Sequence, residues 1–150
     1  MIRDGIPYVI EFNARFGDPE TQVVLALLES DLIDIFEAMA QKSLDKVILK
    51  WRPESAVCVV LASAGYPGTF EKGIPIEGLS KLPPQTYAAH AGTAINPQGQ
   101  LVTNGGRVLG IVGQGKTLEK AIQNAYDGVS VIQFMGKHYR SDIGKKGIRS

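Results

Sequence analysis

The chain has 150 residues, 44% hydrophobic and 21% charged, with a net charge of +1. That length accommodates one domain, or one domain and part of another, with enough apolar side chain for a core. A near-neutral balance without a run of Lys and Arg argues against nucleic acid or an acidic membrane surface as partner, and no apolar stretch reaches the about 20 residues that a membrane-spanning helix needs.

Met1 to Ile10 has the form of a hairpin with Asp4-Gly5 at its turn. Its first strand is short, so the chain is expected to continue something longer. The second strand is predicted to run from Tyr8 through Asn13 and to end near Arg15, with Tyr8, Ile10 and Phe12 turned into a core. Asp18-Pro19 then signals a helix, with Asp18 as its cap and Pro19 at the first helical position. Ser30-Asp31 caps a second helix, whose apolar stripe of Leu32, Ile35, Phe36 and Met39 is expected in a core.

Beyond residue 42 short strands dominate. Residues 56–63 read as a buried strand, and Cys58 within it as a small buried hydrophobe rather than a nucleophile. A lone cysteine forms no intrachain disulfide and suits a reducing cytoplasm. Gly65-Tyr66-Pro67-Gly68 reads as a turn. Tyr87 to Ile95 reads as one strand, Asn96 to Gly99 as a loop, Leu101 to Thr103 as the return strand, and Arg107 to Val112 as a further strand. Thr117 caps a helix with Leu118, Ile122, Ala125, Val129 and Ile132 on its apolar face, and Gly136 is expected to stop it.

The residues suited to chemistry lie in Glu11-Phe12-Asn13-Ala14-Arg15-Phe16-Gly17-Asp18-Pro19-Glu20. On an extended strand Glu11 and Asn13 share a face, with α-carbons about 7 Å apart. Carboxylate and amide oxygens at that spacing suit a hard cation such as Mg²⁺. Arg15 continues the face, and its planar fork suits a carboxylate, a phosphate or charge developing at a phosphoryl centre. Gly17-Asp18 lets the backbone approach a ligand at a helix start. The plainer alternative is a solvated strand face, with Arg15 paired to Asp18.

The run EFNARFGDPETQ resembles the end of the ATP-grasp domain in the glycinamide ribonucleotide synthetase family. Ser30-Asp31-Leu32, Gly65-Tyr66-Pro67-Gly68, His90-Ala91-Gly92-Thr93, Thr103 to Leu109, and Tyr139-Arg140 followed by Asp142-Ile143-Gly144 recur there in the same order. Glu-x-Asn-x-Arg alone also occurs in other ATP-grasp enzymes, biotin carboxylases among them; the Phe-Gly-Asp-Pro-Glu that follows narrows the choice. The resemblance implies that Glu11 and Asn13 bind the Mg²⁺ (or Mn²⁺) of bound ATP. It implies a catalytic and substrate-binding role for Arg15, with Gly17 and Asp18 lining the amino-acid and acyl-phosphate site. The tail departs from the family pattern, with Lys145-Lys146 where an aromatic residue and Arg are usual.

Three further motifs have competing readings. Gly105-Gly106-Arg107 is either an Arg fork beside a turn that admits a phosphate or a bulge followed by an exposed strand residue; the resemblance makes Arg107 a substrate-binding candidate. His90 is expected to be a hydrogen-bonded core histidine rather than a general base, and His138 a surface residue. Gly110 to Thr117 matches the phosphate-loop spacing, yet it is expected to be a plain strand-to-helix connection because no parallel β-α-β arrangement surrounds it.

The reading is an α+β chain in two parts. Residues 1–42 end an ATP-grasp domain, and residues 43–150 form a mostly antiparallel β domain with a packed helix. The resemblance implies the C-terminal part of a cytoplasmic ATP-dependent ligase of purine synthesis. It would act on ATP, glycine and phosphoribosylamine, and be inactive without the N-terminal part of the enzyme. Another ATP-grasp ligase or carboxylase, and a non-enzymatic assembly module, are the alternatives.

Overall fold

The computed structural model describes residues 1–12 and 14–148. It is α+β, as expected, with antiparallel sheets throughout. Strands β1 (Ile2–Arg3) and β2 (Ile6–Pro7) make the expected hairpin. Asp4 and Gly5 at its turn both have positive φ, 52° and 77°, as a two-residue turn between twisted strands requires.

The strand expected from Tyr8 to Asn13 does not form over the described residues. Tyr8, Ile10 and Phe12 are 51%, 68% and 88% exposed rather than in a core. Their alternation encodes an apolar face, but a two-residue β1 is too short to extend the ladder, and no layer among the described residues covers that face. Asn13 lies outside the described residues.

Helix α1 (Glu20–Leu27) begins one residue later than expected, and Asp18 does not cap it. The Gly17 carbonyl closes the first turn instead, accepting from both the amide and the hydroxyl of Thr21 at 2.8 and 2.7 Å. Helix α2 (Leu32–Ala40) is capped as expected, with Asp31 Oδ1 accepting from the Ile33 amide at 2.8 Å. Its apolar stripe is not core: no residue of α2 is buried, and Phe36 and Met39 are 44% and 55% exposed. The helical spacing is right, but among the described residues the stripe is only partly covered, with Leu32 and Ile35 half-buried and Phe36 edge-on to Phe16 at 6.3 Å.

The core lies between residues 55 and 134. Strands β3 (Ser55–Ala62), β4 (Thr86–His90) and β7 (Arg107–Gly115) form an antiparallel sheet in the order β3-β7-β4. Strands β5 (Thr93–Ile95) and β6 (Leu101–Thr103) pair separately around the expected Asn96–Gly99 loop. The single strand expected from Tyr87 to Ile95 is therefore two. It breaks at Ala91-Gly92, where the Gly92 amide donates to the Arg107 carbonyl at 2.8 Å and the Gly92 carbonyl accepts from the Asn104 amide at 2.7 Å. A Cβ on Gly92 would lie 2.5 Å from the Gly105 Cα, so these two backbones cross only because both residues are glycine.

His90 is exposed, not core, and its Nδ1 lies 3.0 Å from Thr93 Oγ1. The corner at Ala91-Gly92 carries it to the end of the sheet. His138 is a surface residue, as expected, although its backbone pairs with Ala62. Gly110 to Gly115 belongs to β7 and pairs with antiparallel neighbours on both sides, so the phosphate-loop spacing is coincidental.

One face of the sheet carries Val57, Val59, Leu61, Leu109 and Ile111, all buried. Helix α3 (Leu118–Val131) lies on it through Ala121, Asn124, Ala125, Gly128 and Val129, at helical spacing. Thr117 caps it as expected, accepting from the Lys120 amide at 3.2 Å. It ends before Gly136, because Ile132 turns extended and Lys137 Nζ donates to the carbonyls of Val129 and Ile132 at 3.0 and 2.5 Å. The other face is crossed by α1, with the Tyr87 hydroxyl donating to the Gln22 carbonyl at 2.9 Å.

Contact between α3 and β7 is backbone on backbone at Gly113. A Cβ there would stand 2.2 Å from the Ala125 nitrogen and 2.7 Å from the Ala121 carbonyl oxygen. Gly113→Ala is therefore expected to destabilise the fold by about 3 kcal/mol, the upper end for overpacking, since no flexible side-chain tip can yield. Urea denaturation checks this, and a loss below about 1 kcal/mol would refute the close approach.

Candidate functional site

Of the expected site residues, Asp18 and Arg107 come together on the α1 face of the sheet, where the loop that precedes α1 meets β7. A cavity of about 360 Å³ opens there. Cys58, Val60 and Ala62 of β3 form its floor, Pro19 one wall, Tyr66 and Arg107 a second, and His138, Tyr139, Arg140 and Ile143 a third. A larger groove of about 620 Å³, beside Glu71, Ile74, Glu77 and Met135, contains none of the expected site residues.

Arg107 reaches the cavity through an irregularity in the sheet. Leu61 pairs with Leu109, but Ala62 pairs with Arg107 rather than Val108. This register shift sets Arg107 in the same cavity as Cys58 and Val60, where regular alternation would place it with Leu109 beneath α3. Of the two readings of Gly105-Gly106-Arg107, the bulge is present and so is the fork beside a cavity. Gly106 has a further reason to be glycine: a Cβ would stand 2.1 Å from the Tyr66 ring, which packs against this backbone.

Arg107 Nη1 lies 3.4 Å from Asp18 Oδ2 and 3.4 Å from the Asp18 carbonyl oxygen, across 89 residues of sequence. Asp18 Oδ1 also accepts from Gln22 Nε2 at 3.0 Å. The structure thus brings Gly17, Asp18 and Arg107 together. Arg15, one turn of chain away, is exposed, and its Nη1 donates to the Phe16 carbonyl at 3.0 Å; the Arg15–Asp18 pairing weighed above is not formed. Glu11 is exposed on the segment before the loop.

Composition reading missed the third wall. Arg140 offers its Nε and Nη2 to the two carboxylate oxygens of Asp142 at 2.9 and 2.7 Å. That hydrogen bonding holds the Asp142 carboxyl below the usual carboxylate range and raises Arg140 further. The pair fixes the fork at the cavity rim. Tyr139 lies beside the Lys137 ammonium, 5.6 Å from the ring centroid, and against the Tyr126 ring at 6.4 Å. Burial lowers the Lys137 pKa. The Tyr126 hydroxyl donates to the Arg140 carbonyl at 2.8 Å and accepts from the Ile143 amide at 3.0 Å, tying this wall to α3. The Tyr139-Arg140 and Gly65-Tyr66 motifs were visible in the sequence, but nothing local said that residues 66, 107 and 140 would meet.

Residues 56–146 match the family described as phosphoribosylglycinamide synthetase, C domain. Over 146 residues the chain is 47% identical to phosphoribosylamine–glycine ligase of Neisseria meningitidis, covering 97% of this chain and 34% of that protein. It is 45% identical over 150 residues to the chloroplastic phosphoribosylamine–glycine ligase of Arabidopsis thaliana, covering 98% of this chain and 28% of the relative. Over 150 residues it is 49% identical to the trifunctional purine biosynthetic protein adenosine-3 of Gallus gallus, of which it spans 15%. The crystal structure of phosphoribosylamine–glycine ligase from Thermotoga maritima superposes with a TM-score of 0.72 at 40% identity, over 93% of this chain and 34% of that one. The chain therefore spans between 15% and 34% of the length of these relatives.

Cys58, on the cavity floor, is a free thiol with 8% of its surface exposed. Burial, and then the negative charge of Asp18, push its pKa up from 9.0 to about 11. A raised thiol pKa means less thiolate, so the group stays protonated and unreactive through the neutral range. Alkylation of the native chain near pH 8 is expected to run about a hundredfold slower than in denaturant, matching the loss of thiolate. Asp18→Asn should speed it modestly. Equal rates in the native and unfolded chain would show the thiol to be accessible and ordinary.

Proposed function

The chain belongs to the phosphoribosylglycinamide synthetase family, whose C domain it carries, and we propose that it forms the C-terminal part of a phosphoribosylamine–glycine ligase. The observation that carries this is 47% identity to such a ligase over 97% of the chain. Residues 1–42 would then end the ATP-grasp domain and residues 43–150 form the C domain.

In the complete ligase a terminal phosphoryl group of ATP passes to the glycine carboxylate, giving an acyl phosphate and ADP. The amine nitrogen of phosphoribosylamine then attacks the acyl carbon. The C–N bond forms as the C–O bond to phosphate breaks, and the nitrogen loses a proton. Catalysis of this kind rests on position and charge more than on covalent chemistry by the protein. Arg15, exposed on the loop, would set a guanidinium where phosphoryl charge develops. Gly17 and Asp18 would line the acyl-phosphate site on the same loop, with the Glu20 carboxylate lying over Gly17 in this structure.

The chain's oxygens suit a magnesium or manganese ion held with the substrate. Glu11 is exposed, and among the described residues no three His, Cys, Asp or Glu side chains cluster to form a closed cage. A hard cation of this kind is ordinarily held by few protein oxygens and completed by phosphates. Glu11 and Asn13 would hold it, and it would neutralise the ATP phosphates.

The apolar surface of this chain supports a further body of protein over it. Val9, Ile10 and Phe12 are 72%, 68% and 88% exposed, and Ile33 and Met39 of α2 are 64% and 55% exposed. An unpartnered apolar surface of that kind is what remains when a covering layer belongs to another part of the enzyme. No helix among the described residues is long and apolar enough to cross a membrane, and a single buried thiol is compatible with a reducing, cytoplasmic setting.

The test joins this chain to the N-terminal part of the Neisseria relative and measures ADP release with ATP, glycine and phosphoribosylamine. Turnover with preference for glycine among amino acids is expected, and none from the 150 residues alone. Glu11→Gln should reduce kcat by about a hundredfold, as expected for losing one oriented charge at a phosphoryl centre. Robust turnover by the isolated chain, or indifference to glycine, would overturn the proposal.

A further inference from the structure

Arg107 stands where the central sheet meets the loop preceding α1. Its strand is the centre of the fold: Val108, Leu109, Ile111 and Val112 are each fully buried. The register shift opposite Ala62 turns Arg107 out of the α3 face and toward that loop. There its Nη1 lies 3.4 Å from both the carboxylate and the main-chain carbonyl of Asp18. A side-chain carboxylate and the backbone of the same residue are thus held from one guanidinium. Gln22 holds the other carboxylate oxygen at 3.0 Å, so Asp18 is gripped from both the sheet and α1. The Tyr66 ring, packed on the backbone at Gly106, lines the same cavity as Arg107.

We infer that Arg107 is a positioning residue, which fixes the Arg15–Asp18 loop against the rigid central strand rather than serving substrate alone. The pair is 42% and 46% exposed, too open to water to matter much for global stability. Its consequence is geometric. Arg15 lies three residues from the point that is held, and the loop leading to it makes no strand. Without Arg107 the loop would lose its ion pair to the central strand. That Arg15 serves catalysis rests on the ligase reading above; that Arg107 fixes the loop does not.

Two measurements separate these. In the 150-residue chain, Arg107→Gln is expected to raise hydrogen exchange at the Thr21 amide, which donates to the Gly17 carbonyl, by about two- to fivefold, the scale of an exposed ion pair. The Ile111 amide in β7 should be unchanged. In the completed ligase, Arg107→Gln is expected to lower kcat by about ten- to a hundredfold, as a misplaced catalytic group does, with KM for ATP, glycine and phosphoribosylamine within about threefold of the parent.

Asp18→Asn should reproduce the loss, and the double variant should be no worse than either single one, because both remove the same contact. Losses that multiply, with KM for phosphoribosylamine rising, would make Arg107 a substrate ligand and overturn the inference. Unchanged exchange at Thr21 would overturn it as well, whether or not the completed enzyme turns over. Absence of activity in the unmutated completed ligase would instead count against the ligase reading, and the exchange result would still decide the role of Arg107. Should Arg107→Gln fail to fold, the exposed Asp18→Asn variant supplies the same exchange comparison.

Discussion

The fold hangs on how closely α3 can approach β7. Gly113 meets the backbone of Ala121 and Ala125 with no side chain between them, and Gly128 on the helix side leaves room for the Ile111 side chain, whose Cγ2 would stand 2.8 Å from a Cβ there. Small residues on both surfaces let the larger ones on either side, Leu109, Ile111, Val129 and Ile132, interdigitate at full burial. That contact makes β7 the rigid reference of the molecule. Both flanking strands pair with it, and α3, its carbonyl end closed by Lys137, anchors the segment that carries Tyr139 and Arg140.

The opposite face is built on a different principle. It is covered by two turns of α1 and by no buried helix residue. Where cover is thin a cavity remains over β3, walled by Pro19 before α1, the turn that carries Tyr66, the bulged end of β7 and the stretch after α3. Local devices set parts of this lining. Glycines at 92 and 105 let two chains cross, a register shift turns Arg107 over, and the Arg140–Asp142 fork sets the third wall. A stable face and a receptive one therefore share a single strand, and mobility on the second need not loosen the first.

What the sequence made legible follows from the same division. Patterns that report on burial within the chain were readable: the apolar run of β3, the β5–β6 pair, the capped α3 and the protected Cys58 all stand where periodicity and turn chemistry put them. Patterns that report on burial by something else misled. Tyr8, Ile10 and Phe12 alternate as a strand should, and the α2 stripe has helical spacing, yet both face water. Hydrophobic periodicity records the surface a segment is meant to bury, not which polypeptide buries it. Asp18 was misread for another reason. Asp before Pro before an acidic helix start is the local signature of a cap, but a contact with residue 107, invisible to any local window, took its carboxylate away.

That last failure bears on the site itself. A residue that breaks a strong local rule needs a compensating interaction, and such places tend to be functional. Asp18 gives up a helix cap, a contribution of about 1 kcal/mol, and accepts an exposed ion pair that returns less. On stability alone the exchange is unfavourable. It is intelligible if the loop's position matters more than the helix's, because a cap would tie Asp18 only to its own helix, whereas Arg107 ties it to the sheet. The same logic covers Gly105 and Gly106, two flexible residues in front of a central strand, where the close crossing with Gly92 and the seat of the Tyr66 ring both require them. Stability is given up at several neighbouring points along one edge of one cavity, and each concession fixes the direction of a side chain that lines it.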